Sequence, residues 1–157
     1  MASKQQQSGM LGVYLTAAEL TARGFIVSVT SRNAIGADLL VTTALCKTTW
    51  SIQVKTNGRR ARFWLLNSHA KEMAYPSHIY VFVNLKGNER PDYYVVPSEI
   101  VAAKIWVDRH EKRDFHSFPP EWGDIEPYVE GWDKALGDPG PQPDPQPDSP
   151  FVLDGVK

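Results

Sequence analysis

Residues 48–56 read TTWSIQVKT. Apolar and polar side chains alternate along this stretch: Trp50, Ile52 and Val54 fall on one side, Ser51, Gln53 and Lys55 on the other. A period of two is the signature of a strand with one buried face. A lysine in the middle of such a strand is unusual, and a neutral amide two residues before it is stranger. Gln53 and Lys55 leave the strand from the same face, roughly 7 Å apart.

The preceding run, ADLLVTT (37–43), is a second β-rich stretch, entered from the turn-like SRNAIG (31–36). Asp38 stands just inside its start. If the two strands pair as a hairpin, Asp38 comes near Gln53 or Lys55, and a carboxylate, an amide oxygen and an ammonium converge. Such a trio suits phosphodiester hydrolysis. Oxygen donors hold a hard cation such as Mg²⁺. The cation polarises the phosphate and acidifies a water, and the lysine stabilises the charge that develops. The backbone carbonyl of Val54, between the two side chains, is a further candidate ligand. Taken singly, a strand-face lysine is usually just solvated and an aspartate after a turn is usually a cap. The chemistry rests on the three together.

Further out, Leu11, Leu15, Ala18 and Ala22 recur at helical spacing and Gly24 sits where a C-cap glycine belongs, giving a helix over 9–23 after a disordered 1–8. FIVSVT (25–30) is a strand. Beyond the NGRR turn (57–60), ARFWLL (61–66) is a short strand or the entry to the next element, and NSHAKEMAY (67–75) suggests a short helix before Pro76. HIYVFVNL (78–85) reads as a strand buried on both faces, and DYYVV (92–96) as another, with one tyrosine ring turned in and one out. Ser98 is a plausible cap for a helix running to about Asp108. A short helix lies within EWGDIEPYVEGWDKAL (121–136), clamped by Trp122 and Trp132. Helix, three strands, helix, two strands, helix describes an α/β or α+β sheet with helices on its faces.

The 157 residues suffice for one domain with its own core. No apolar run approaches the roughly 18–20 residues of a membrane span, and MASKQQQSGM has no signal-type apolar core. Cys46 is the single cysteine, which excludes an internal disulfide and a cysteine-built metal site. The expected setting is the cytoplasm. Charge is unevenly placed. Residues 39–71 contain six bases and no acid, whereas 108–157 hold twelve acids against five bases. A basic centre suits a polyanion, with Arg59, Arg60, Arg62 and Lys47 as candidate phosphate contacts. Phe63 and Trp64 are either core or base-stacking residues. His69, His78, His110 and His116 show no metal-ligand spacing. The acidic tail, 137–157, carries six prolines within 137–150. Such a segment is expected to be extended, and the Pro147–Pro150 spacing fits a protein partner.

The runs GADLLV (36–41), IQVKT (52–56) and AAELTARGF (17–25) resemble the PD-(D/E)XK nuclease superfamily, in particular its small Holliday-junction-resolvase-like and restriction-endonuclease-like members. YVFVNL (80–85), PDYYVVPSEIVA (91–102) and IEPYVEGWDKAL (125–136) extend the resemblance over 9–136. It implies a restriction-endonuclease-like core, a mixed αβββαβ sheet flanked by helices, and a Mg²⁺- or Mn²⁺-dependent DNA endonuclease that pairs as a homodimer. Asp38 then takes the place of the motif aspartate, a metal ligand, Gln53 the (D/E) position, and Lys55 the motif lysine. The chain departs from the pattern in three places. Ala37 stands for the motif proline, Gln53 removes a negative charge, and Gly12 is followed by Val13 where relatives often carry a glutamate. Glu19 is the nearest substitute. Ala37 matters little, but Gln53 and the missing helix glutamate imply the alternative of a catalytically degenerate member that binds nucleic acid or a partner protein without cutting.

Overall fold

The structure, a computed structural model, describes residues 3–31 and 36–141. The proline-rich tail beyond 141 lies outside the described residues. The chain runs α1 (Lys4–Ala22), β1 (Ile26–Val29), β2 (Leu39–Thr42), β3 (Thr49–Asn57), β4 (Trp64–Leu66), β5 (His78–Lys86), β6 (Glu89–Pro97), α2 (Ser98–Lys104), β7 (Trp106–Asp108), β8 (Phe115–Phe118) and α3 (Trp132–Leu136). Two sheets form, one ordered β1-β2-β3-β5-β6 and a smaller one ordered β4-β8-β7. In the large sheet only β3 and β5 are parallel; the other pairs are antiparallel. This is the mixed, helix-flanked α+β sheet expected from the sequence. None of the described helices is long and apolar enough to cross a membrane.

Strand alternation divides the core. Ile52, Val54, Val81, Val83, Tyr93 and Val95 face α1 and α3, joined there by Val13, Leu20 and Trp132. Tyr80, Phe82, Tyr94 and Val96 face the other way, beneath Trp64, Phe118 and Ile125. The two adjacent tyrosines are therefore both buried, on opposite faces, and neither is turned out. The near-continuous burial of β5 follows from cover on both sides.

Several boundaries differ from the sequence reading. α1 starts at Lys4, not Gly9, because Ser3 and Gln6 form a capping box: the Ser3 hydroxyl accepts from Gln6 N and the Gln6 amide oxygen accepts from Ser3 N. The helix expected between the third and fourth large-sheet strands is only a 3₁₀ turn, Ser68–Lys71. α2 ends at Lys104, and the aromatic and β-branched Trp106 and Val107 form β7 instead of continuing it. Ser98 is not the cap of α2 but its first residue, with Pro97 as cap. Its buried hydroxyl donates to the Tyr75 carbonyl and accepts from the Tyr75 N–H. Trp132 anchors α3 in one core, while Trp122 packs edge-on against Tyr94 in the other.

α1 crosses β3 in very close contact. A Cβ at Gly12 would lie 1.8 Å from Thr56 Oγ1, whereas one at Gly9 would meet nothing within 4 Å. Gly12→Ala is expected to lose about 1–3 kcal/mol by overpacking. Gly9→Ala is expected to gain up to about 1 kcal/mol, as alanine is the better helix former. Thermal unfolding of the two variants should move in opposite directions, and a stabilised Gly12→Ala would contradict this packing.

Candidate functional site

β2 begins at Leu39, so β3 runs on past the end of its neighbour. In the antiparallel ladder the polar backbone atoms of Ile52 face β2, as Ile52 O accepts from Asp38 N at 2.8 Å. Parity turns the N–H and C=O of Val54 to the same side, where no further β2 residue stands. The Asp38 carboxylate fills that gap. Its Oδ2 accepts from Val54 N at 2.8 Å and from Gln53 Nε2 at 2.6 Å. Asp38, half-buried, thus sits where the sequence placed it, beside Gln53.

Gln53 and Lys55 leave β3 on the face away from α1. In the parallel register they lie beside Tyr80 and Phe82 of β5, the rows that the small sheet covers. Burial against that wall pushes the Lys55 pKa down, and the Asp38 charge pulls it partly back. Asp38, Gln53, Val54 and Lys55 line a cleft of about 340 Å³ together with Gln6, Gly9, Met10 and Val13 of α1. All three residues expected to carry chemistry are in it, as is the Val54 backbone.

The other candidates are placed differently. Val13 lines the cleft and supplies no charge. Glu19 does not line it. Six residues on, at 100° per residue, it is turned about 120° from Val13. There it accepts from Arg23 at 3.1 Å and from Arg90 at 3.0 Å. Arg90 also pairs with Glu130. Glu19 thus ties α1 to β6 and does not line the cleft. Lys47 lies in the exposed turn between β2 and β3, roughly 20 Å of extended chain from Gln53 and away from Lys55. Arg59, Arg60 and Arg62 are exposed and follow β3 at the Lys55 end; Arg60 and Arg62 border a hollow closed by Trp122. Trp64 is core, with its indole N–H donating to Val83 O, while Phe63 is exposed. His78 is buried with Nδ1 2.8 Å from Ser51 Oγ, and burial lowers its pKa. Among the described residues no three His, Cys, Asp or Glu side chains cluster as a metal site.

Sequence reasoning missed the α1 lining of the cleft near Gln6 and Gly9. The polar run KQQQ has no apolar period, although lysine and glutamine are good helix formers. The Ser-x-x-Gln cap was the available signal. For the site itself, Lys55 is expected to titrate below its ordinary value in a ¹³C-lysine NMR titration, and lower still in Asp38→Asn. Because the folded pKa is depressed, the unfolded chain binds the proton more tightly. Stability therefore rises with pH between the depressed value and the ordinary one. An Asp38→Asn variant with a raised Lys55 pKa would contradict the geometry.

No protein-family model and no curated protein sequence matches the chain. Among solved structures it is similar to Hjc, a Holliday junction resolvase from Archaeoglobus fulgidus, at 14% identity and a TM-score of 0.50, over 81% of this chain and 94% of that one. It is also similar to the bacterial homing endonuclease I-Ssp6803I, at 15% identity and a TM-score of 0.54, over 87% of this chain and 93% of that one. The likeness is one of fold: the five-stranded mixed sheet with its flanking helices matches the folds of these two nucleases.

Proposed function

We propose that the protein is a metal-dependent DNA endonuclease that hydrolyses phosphodiester bonds in the Asp38–Lys55 cleft. The observation that carries this reading is the convergence of Asp38, Gln53 and Lys55, with the Val54 carbonyl, at the open end of β2. The fold shared with two nucleases supports it. So does the acid-free basic run that leaves the cleft through Arg59, Arg60 and Arg62.

The donors present fit a hard divalent cation such as Mg²⁺ or Mn²⁺, bound weakly. Asp38 brings one carboxylate, Val54 a backbone oxygen on the same side, and Gln53 an amide oxygen once its side-chain amide turns over. Carboxylate count sets affinity, and here it is one. When bound, the cation would polarise the scissile phosphate and lower the pKa of a water. Asp38 holds the strand ends in register and orients Gln53. Lys55, its pKa lowered by burial and partly restored by the Asp38 charge, stands where an ammonium would meet the negative charge that gathers on the phosphate. Arg59, Arg60 and Arg62 grip the flanking phosphates, so affinity falls with salt. Glu19 and Lys47 have no part in this account.

A second reading has its own observation. Gln53 presents its NH₂, not its oxygen, to Asp38 at 2.6 Å, and Val13 occupies the helix position where a carboxylate would add charge. A neutral donor already satisfies the Asp38 oxygen, which is what a degenerate, binding-only cleft requires.

Purified protein should nick plasmid DNA in Mg²⁺ or Mn²⁺. Lys55→Ala and Asp38→Asn should each lower the rate by tenfold or more at unchanged thermal stability for Lys55→Ala. Loss of less than tenfold in both contradicts the nuclease reading, and DNA binding without cleavage in any divalent metal selects the second. Gln53→Glu separates the two further. It places two carboxylates side by side, so the metal-free variant should melt below wild type. Mg²⁺ should raise its melting temperature more than that of wild type, since a ligand stabilises the state that binds it. No Mg²⁺-dependent rise in either protein would mean that no cation enters the cleft.

A further inference from the structure

The small sheet turns Trp64 and Phe118 down onto the core, so their neighbours on each strand face outward. Leu65 pairs with Ser117, and Ser117 with Trp106, which sets the three in one row across β4, β8 and β7. Leu65 and Trp106 are 56% and 59% exposed, and Phe63, just before β4, is 53% exposed. The row has a hollow on each side. One, of about 410 Å³, lies between Leu65 of β4 with Asn67 just after it and Phe115 of β8 with Arg113 just before it. The other, of about 380 Å³, lies between Phe63, Trp106 and the Pro119–Pro120 pair. Large apolar rings held open to water beside two hollows mark a binding surface.

Its chemistry selects the occupant. Arg113 lies over Phe115, with its guanidinium carbon 4.6 Å from the ring centroid, and Arg62 is next to Phe63 in the chain. Among the described residues neither arginine is in an ion pair. A guanidinium over an aromatic ring, exposed aromatic side chains and arginines outside any ion pair suit unpaired nucleobases and their phosphates. A protein partner of the ordinary kind needs a continuous apolar centre, and here Ser117 interrupts the row between Leu65 and Trp106. The surface also joins the cleft: the link carrying Arg59, Arg60 and Arg62 runs from β3 directly into β4.

We propose that the outer face of β4-β8-β7 is a stacking platform for single-stranded DNA, so that the preferred substrate has an unpaired segment next to the bond in the cleft. The substrate preference rests on the nuclease reading; the binding of a single strand does not.

The test measures fluorescence anisotropy of a labelled 15-nucleotide oligothymidylate and of a 15-base-pair duplex in EDTA at low salt, where nothing is cut. Wild type should bind the single strand at least about fivefold more tightly than the duplex, with quenching of tryptophan emission. Trp106→Ala should weaken single-strand binding by about fivefold or more, the loss of one stacked base, while duplex binding changes less than about twofold. Arg113→Gln should weaken single-strand binding and lower its salt dependence. Trp106 is exposed, so its removal should leave the melting temperature unchanged. Equal effects of Trp106→Ala on both DNAs, or none on either, overturn the proposal. So does a wild-type dimer that Trp106→Ala makes monomeric, because a second copy would then cover the face. Lys55→Ala should keep the single-strand preference. If wild type also never cuts, the nuclease reading fails and the platform stands. Cleavage that ignores single-stranded character fails the platform alone.

Discussion

A single carboxylate oxygen, Asp38 Oδ2, stands in for the strand that β2 does not continue. By accepting from Val54 N–H and the Gln53 amide it ends the β2–β3 ladder without leaving a backbone donor unpaired. Hydrogen bonds to an ionised acceptor contribute about 1.5–3 kcal/mol each, so the contact holds the sheet together at its most open point. The same contact creates the cleft. With β2 stopped at Leu39, the Val54 edge stays uncovered and the charged residues of β3 remain within reach of solvent. Stability and site therefore depend on one atom, and a change at Asp38 is felt in both.

The second constraint is the closeness of α1 to β3. Because Gly12 has no side chain, the helix lies against Thr56 and brings Gly9, Met10 and Val13 to the rim of the cleft. On the opposite face, Phe82 and the small sheet screen Lys55 from water on one side. A lysine held in this way is a poor ornament and a useful charge. Burial lowers its pKa, and the Asp38 charge opposes that shift. The cleft is thus built from a helix in close contact on one face, an apolar wall on the other and an unfinished strand between them.

Much of this was legible because it is local. The alternation in 48–56 fixes which residues share a face, and the hairpin between 39 and 52 brings Asp38 beside Gln53 across only a short loop. The small sheet was not legible. Its strands are three or four residues long, and β4 pairs with β8 about fifty residues later. β7 follows α2 so closely that Trp106 and Val107 read as more helix. Tyr93 and Tyr94 were expected to alternate between core and solvent, but a sheet covered on both faces buries both. Glu19 looked like a spare carboxylate until rotation around α1 put it beside Arg90. Lys47 looked like part of the basic patch until the hairpin carried it to the wrong end.

The central claim is that the oxygens around Asp38 form a cation site. The most direct measurement is a crystal of the full chain soaked in Mn²⁺, with anomalous scattering recorded. The account predicts a peak in contact with the Asp38 carboxylate and the Val54 carbonyl, with the Gln53 amide turned so that its oxygen faces the ion. Saturating Mn²⁺ with no peak there, and with both Asp38 hydrogen bonds intact, would contradict it.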